Sequence, residues 1–575
     1  MKRVLTITSV VLFALLVVVI GSFEVLTKTD FGRRRVRGLV LDFLHDKVHG
    51  TATIGRIEGD ITGVFSLVDI AIADSSGEPF LSAERVTARV GVGALMSKRI
   101  AVSGVTLINP VIHITKTPGT EWNYARIFHS PAPTVVDTTL GFGDWIALDD
   151  VTVRGGKVIV QQPWKTDASL RGASLDSVIS EALGGKSRIR VDRATYGLRQ
   201  TSDFMSIDAH FPRVVVADPS TRDIVLSVDT LSMIAAPFNP PAFVVRQFAG
   251  DVRVGQDTVT VRRLTLGLPG SHATGSLTYI LESGDILTTL KADTLSFADI
   301  QGLYPPLPDS GRGHLDLDAA IRSTTPSEYV VTNAALSVGT AVVSGALGII
   351  LDSTTTRFHH TDLRFARFPT SLVEQIAPSM KAPIAGEFGG RARLDGEMRR
   401  MQVDIDAIFD AVRQPPFRVV ARGGLGLGDF TTTDRLTIRG ERVPVSLARE
   451  FGTESPIGGT VDATAIVTGS TGSRLRGTFV AVHHENGNDS RVEGEGTVAV
   501  SDSMRMDLKL QLRHVSLELA EHFAPETDFR GNVRGTATLQ GTPRDIASRL
   551  DLIVPGRGTV NGDVTYRLPA DTVPV

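Results

Sequence analysis

Met504–Arg513 reads MRMDLKLQLR: Met504, Met506, Leu508, Leu510 and Leu512 alternate without a break with Arg505, Asp507, Lys509, Gln511 and Arg513. Successive side chains of a β-strand point to opposite faces, so this segment is a strand with one wholly apolar and one wholly polar face. The same period runs through Met401, Val403, Ile405 and Ala407, through Val259 and Val261, and through Leu264, Leu266 and Leu268. Such strands belong to a sheet with one face in water and one that needs covering. From about residue 50 nearly all the text has this character, cut by turns rich in Gly, Asp, Asn and Pro. The chain is expected to be mainly β.

The second half also repeats. Gly313, Gly386, Gly459 and Gly531 lie 73, 73 and 72 residues apart, each followed two places on by an apolar residue: Leu315, Phe388, Val461 and Val533. A short helical stretch is expected before each glycine, with Val443, Leu447 and Phe451 matching Val515, Leu519 and Phe523, and a stop at prolines 305, 378, 456 and 525. A second marker recurs in step at Gly275, Gly345, Gly423, Gly496 and Gly562. The unit is therefore several β-strands and one short helix, stacked into a continuous elongated sheet. About 35 to 45 strands, each adding about 4.8 Å, would reach on the order of 170 to 210 Å. The expected organisation is an N-terminal transmembrane anchor over 1–26, a β region over 27–160, a connecting β region over 161–250, and the repeats over 251–575.

Composition and motifs exclude more than they assign. There is no Cys, which removes disulfide scaffolds and Cys-ligated metal sites, and 60 basic against 63 acidic residues leave no basic footprint for nucleic acid. Gly184-Gly185-Lys186-Ser187 ends like a phosphate loop, but Ser180 stands where its first glycine belongs, so a surface turn is expected. His45 and His49 are four apart with no Glu after His45. His359-His360 and His483-His484 would face opposite sides of a strand, and Asp149-Asp150 reads as a turn. The glycines around Gly424, Gly426 and Gly428 fall within a strand repeat, not before a helix. No catalytic residue, cofactor or metal is expected, and the protein reads as non-enzymatic.

Val4–Phe23 is a 20-residue run without formal charge, preceded by Lys2 and Arg3 and followed by Lys28, Arg33, Arg34, Arg35 and Arg37. At 1.5 Å per residue it is about 30 Å long, enough to cross a bilayer as a signal anchor. Cleavage after Val19-Ile20-Gly21 is the alternative. The trailing basic cluster argues by charge for a cytoplasmic body, the early position of a single span for an exported one.

Residues 64–128 carry the most specific text: "VFSLVDIAIADSSGEPFLSAERVTARV", then "GALMSKRI", then "AVSGVTLINPVIHITKTPGTEWNYARIF". It resembles the N-terminal region of the AsmA and TamB superfamily of bacterial envelope proteins, in Asp74, in Gly77, Pro79, Leu81 and Ala83, in Leu95, in Asn109-Pro110 and in Trp122-Asn123. With the anchor and the repeats, the resemblance covers nearly the whole chain. It implies a single-pass protein of the bacterial inner membrane whose body extends into the periplasm as an open, curved β-groove. Such a groove conducts phospholipid between inner and outer membrane. The alternative it carries is a scaffold that assembles outer-membrane β-barrel proteins with a barrel partner. The chain departs from the TamB pattern after Gly562, closing at "TYRLPADTVPV", so a short member or a fragment is expected and direct docking to a barrel loses support.

Physical chemistry agrees with the conduit. Exposing an acyl chain of about sixteen carbons to water costs about 13 kcal/mol, which a continuous apolar trough largely removes. The residues expected to line it are Val259, Val261, Leu264 and Leu266; Met401, Val403 and Ile405; and Met504, Met506, Leu508, Leu510 and Leu512. Alternation alone describes equally well a closed sandwich or solenoid with a dry core.

Overall fold

The computed structural model describes residues 49–567, apart from 61–62, 91–98, 128–144, 167–170, 219, 222, 256, 323–325, 353–354, 379–381, 383, 452–456, 500–503, 523–529 and 543–544. The expected anchor, the basic cluster behind it, His45, Leu95, Pro456, Phe523 and Pro525 lie outside the described residues. Among those described, no helix is long and apolar enough to cross a membrane. They hold 30 strands, fewer than the sequence led us to expect, because many run to 10–12 residues and two reach 18 and 21. The chain divides into two compact units, one running to Leu295 and including Asp299–Pro305, the other comprising Ser296–Ala298 and the chain from Pro306.

In the first unit β1 (Gly50–Gly59), β2 (Val64–Asp74) and β3 (Pro79–Val90) form an antiparallel meander. The far edge of β3 is shared by β4 (Ile100–Ile108) and β5 (Val111–Thr115), separated at Asn109, whose φ is +49°. Both lie parallel to β6 (Ile146–Pro163), so the sheet is mixed, a feature alternation could not reveal. Next, β6 pairs with β8 (Gly197–Ala217), which also carries β7 (Val191–Ala194). On its other edge β8 takes β9 (Ile224–Val228) and β10 (Thr230–Ala236), and β10 takes β11 (Phe243–Val245). From β9 the sheet continues antiparallel through β12 (Gln247–Val254), β13 (Thr258–Gly267), β14 (His272–Ile280) and β15 (Ile286–Ser296).

The words singled out at 64–128 meet at one corner of this unit. Asp74 closes β2 and is 1 % exposed. Its Oδ1 accepts hydrogen bonds from the Ser76 hydroxyl (2.5 Å) and from the Ser76 and Glu78 backbone N–H groups (both 2.9 Å), and its Oδ2 from Arg126 Nη2 (2.7 Å). Arg126 belongs to a one-turn helix, α1 (Asn123–Ile127), opened by the fully buried Asn123. The Asn123 Oδ1 accepts from Thr115 N (3.0 Å) and Tyr124 N (2.9 Å), and its Nδ2 donates to His113 O (2.7 Å). One buried amide thus ties the helix to β5, and one buried carboxylate ties it to the β2–β3 turn. Burial opposes the charge on Asp74, but the hydrogen bonds outweigh it and hold its carboxyl below the ordinary range. A depressed folded pKa stabilises above the unfolded value of about 3.9 and loses that contribution as pH falls through the folded one. Thermal denaturation from pH 7 to pH 3 should therefore show an acid-side loss that Asp74→Asn flattens.

The second unit is simpler. β16 (Arg312–Ile321), β17 (Ser327–Val338), β18 (Ala341–Leu351), β19 (Thr356–Pro369), β20 (Gly386–Glu397), β21 (Arg400–Ala411), β22 (Phe417–Gly426) and β23 (Thr432–Pro444) pair in sequence order. The series continues through β24 (Thr460–Ser470), β25 (Leu475–Glu485), β26 (Asn488–Ala499), β27 (Arg505–Ser516), β28 (Asn532–Thr542), β29 (Asp545–Val554) and β30 (Gly558–Arg567). Every one of these pairings is antiparallel. The repeat is four strands followed by a short helical turn: α2 (Thr370–Ile376) after β19, Val445–Phe451 after β23 and Leu517–His522 after β27.

Two kinds of glycine keep this repeat in step. A Cβ on Gly345, Gly423 or Gly496, in the third strand of each repeat, would collide with the carbonyl oxygen of Asp362, Arg435 or Asp507 in the fourth. Glycine is required there because two backbones close on each other, beside a bulge at Gly345 and Gly423. The first-strand glycine accepts a hydrogen bond from the residue that opens the preceding helical turn: Thr370 Oγ1 to Gly386 O (3.2 Å), Val445 N to Gly459 O (3.1 Å) and Leu517 N to Gly531 O (2.9 Å). Phe297 N makes this bond to Gly311 O (2.8 Å), so Gly311, not Gly313, is the first member of the series.

Several local expectations change. Val443 lies in β23 instead of on the helical turn, where Leu447 is buried. Asp149 and Asp150 sit inside β6, with Asp150 in a left-handed conformation at φ +55°, not in a turn. His360 has φ +49°, and this bulge defeats alternation, bringing the rings of His359 and His360 to 5.4 Å, edge to face. Gly184 to Ser187 follows a helix over Gly172–Leu183 instead of preceding one, with Lys186 N bonded back to Glu181 O (2.9 Å), so no phosphate cradle forms.

Candidate apolar trough

In the second unit the apolar positions line up across strands. One row runs through twelve of them: Leu363, Ala392, Ile405, Ala421, Ile438, Ala465, Phe479, Gly494, Leu510, Ala537, Leu550 and Gly562. Large and small residues alternate without exception. Neighbouring strands are about 4.8 Å apart, so a small residue beside each large one leaves room into which the large side chain can lean. The ring of Phe479 lies over Gly494 in this way.

The face that carries this row differs in cover along its length, and Ile438 of the row itself is exposed. Met401 and Val403 are each 4 % exposed and Leu436 5 %. Their cluster consists of Phe358, Leu394, Ile405, Ala421 and Leu425, all from β19 to β22 of the same sheet. Side chains of neighbouring strands in the same sheet therefore cover this part of the face. In β27, Met506, Leu508, Leu510 and Leu512 are only half-buried, while Met504 stands just before the strand and is exposed. A dry core between two sheets would have taken these leucines fully out of water. Ile405 is half-buried.

The set in β13 belongs to the first unit. Val261 and Leu264 are buried there, Val259 and Leu266 half-buried. Strict alternation would put Val261 and Leu264 on opposite faces. A bulge at Arg263, with φ +52°, restores them to one face, opposite Leu277 and Gly275.

One rim of the face was not foreseen. Phe365, Phe368, Phe388, Phe409 and Phe417 form a chain of ring contacts with successive centroids 5.3–5.8 Å apart. Leu372 of α2 packs with Phe368, and Leu447 with Phe417. Phe365 and Phe368 are three apart, which reads as opposite faces of a strand until the bulge at Arg367 is known. In the next repeat the corresponding rim is polar: His483 Nε2 contacts Gly458 O (2.7 Å) and His522 Nε2 contacts Glu485 Oε2 (3.0 Å).

The opposite face carries ion pairs. Arg391 and Arg393 contact Asp362, Arg418 contacts Asp406 (2.6 Å) and Arg422 contacts Asp404 (2.9 Å). Hydrogen bonds from Arg391 hold the Asp362 carboxyl down at about 2. These groups are well exposed, so each pair stabilises the fold only slightly; what the lattice does is keep this face wet. Among the described residues no group of three or more His, Asp or Glu is placed to hold a metal ion.

Comparison with family models, with curated proteins and with solved structures returned no match to this chain.

Proposed function

We propose that this chain is an anchored, non-enzymatic member of the AsmA and TamB class that carries phospholipid acyl chains along an apolar β-trough between inner and outer membrane, with its body in the periplasm. The observation that carries this reading is the partial exposure of Met506, Leu508, Leu510 and Leu512 along one face of β27. Four adjacent large apolar side chains in contact with water gain about 25 cal/mol for each Å² that a ligand covers. An acyl chain fits that demand because it needs no hydrogen bond from a face that offers none. The order of motifs at 64–128 and the apolar run at 4–23 support the same reading. Full-length protein extracted from membranes in mild detergent should carry phospholipid identifiable by mass spectrometry. Protein free of phospholipid but crosslinked to nascent outer-membrane barrels would instead favour the assembly scaffold.

A further inference from the structure

The largest fully buried side chains among the described residues are Ile54, Ile127, Asn123 and Asp74. Two of these lie in α1, and a third, Asp74, is bonded to it through Arg126. A one-turn helix has little stability of its own, so this corner is held rigid by its buried polar groups. What it holds out is aromatic. Trp122 and Tyr124 are stacked at 6.3 Å between centroids, Tyr124 is 40 % exposed, and the Lys116 ammonium lies 5.6 Å from the Trp122 ring centroid. Tyr279, also exposed, is near enough to add to the effect of burial in raising the Tyr124 phenol above its ordinary value. The chain enters the described structure at the same corner, since His49 N donates to Ile127 O (2.9 Å).

We propose that Trp122, Tyr124 and Lys116 form a foot that seats the first unit on the headgroup layer of the bilayer. This rests on reading residues 4–23 as an uncleaved anchor. The 25 residues from Glu24 to Val48 connect that segment to the corner and carry Lys28, Arg33, Arg34, Arg35 and Arg37. Fully extended they reach at most about 85 Å, and the basic residues draw them toward anionic headgroups. Trp and Tyr favour the boundary between apolar chains and water because each has an apolar ring and a polar edge, and a lysine beside them meets phosphate. A protein partner would more commonly be met by a larger apolar patch than two rings and an ammonium.

The protein contains three tryptophans, Trp122, Trp145 and Trp164, so single-tryptophan variants are simple to make. Full-length Trp145→Phe/Trp164→Phe protein would be reconstituted into vesicles of phosphatidylethanolamine and phosphatidylglycerol, with and without bromine near the headgroup end of the acyl chains. Trp122 emission should fall by about half in the brominated vesicles, as for an interfacial indole. Proteins retaining only Trp145 or only Trp164 should be quenched less, and adding Tyr124→Ser should weaken the Trp122 effect. Protein that floats with the vesicles but shows no quenching of Trp122 overturns the foot and leaves the trough untouched. Protein that does not float with them removes the anchor and the foot together. Quenching in a protein that carries no phospholipid in its trough upholds the foot without the conduit.

Discussion

Leu510→Asp should lower phospholipid transfer between donor and acceptor vesicles by at least about tenfold while leaving the melting temperature within a few degrees of the parent. Leu510 is half-buried and its row neighbours are Gly494 and Ala537, so a carboxylate there can stay hydrated and costs the fold only about 1–2 kcal/mol. An acyl chain passing that point would have to strip the carboxylate of water, a cost of several kcal/mol, and 1.4 kcal/mol already makes a factor of ten. Met401→Asp is the informative partner. Met401 is 4 % exposed within a cluster to which four other strands contribute, and an unpaired carboxylate there should destabilise the second unit by about 4 kcal/mol or more. Parallel transfer assays and thermal melts separate the two. If Leu510→Asp melts as early as Met401→Asp, the face is a closed core and the conduit reading is lost.

Asn123→Ala should destabilise the first unit by about 3–5 kcal/mol, a loss measurable by denaturant titration. The substitution strands the Thr115 and Tyr124 N–H groups and the His113 carbonyl at a site with no exposed surface. Asn123→Asp should recover part of the loss at acid pH, where the protonated carboxyl accepts from the two N–H groups and donates to His113 O, whereas the ionised form would be a buried charge facing a carbonyl oxygen. Equal losses in the two variants would show that side-chain volume, and not hydrogen bonding, holds the corner.

The strands were legible in the sequence because period-two alternation is a local property of the backbone: RMDLKLQLR from Arg505 falls in β27 with its lysine, arginine and aspartate side outward. The repeat was legible because glycine is the residue that a close backbone approach demands, and Gly345, Gly423 and Gly496 mark three such approaches. Parity was not legible. Arg263, His360 and Arg367 carry no warning of a left-handed conformation in their side chains, yet each re-aims the residues after it. That is why the buried pair Val261 and Leu264, the phenylalanine rim and the adjoining rings of His359 and His360 had to be seen in three dimensions.

The words at 64–128 show the same division. Their order was recognisable, but nothing local told that Asp74 and Arg126, 52 positions apart, would share a buried hydrogen bond. By itself the sequence determined that this protein is a repeating β-sheet with one apolar face, since alternation and glycine spacing are written residue by residue. Which parts of that face close on themselves and which stay in reach of water was decided by the tertiary structure alone, because cover depends on which side chains neighbouring strands bring together, and that is set by bulges and by register.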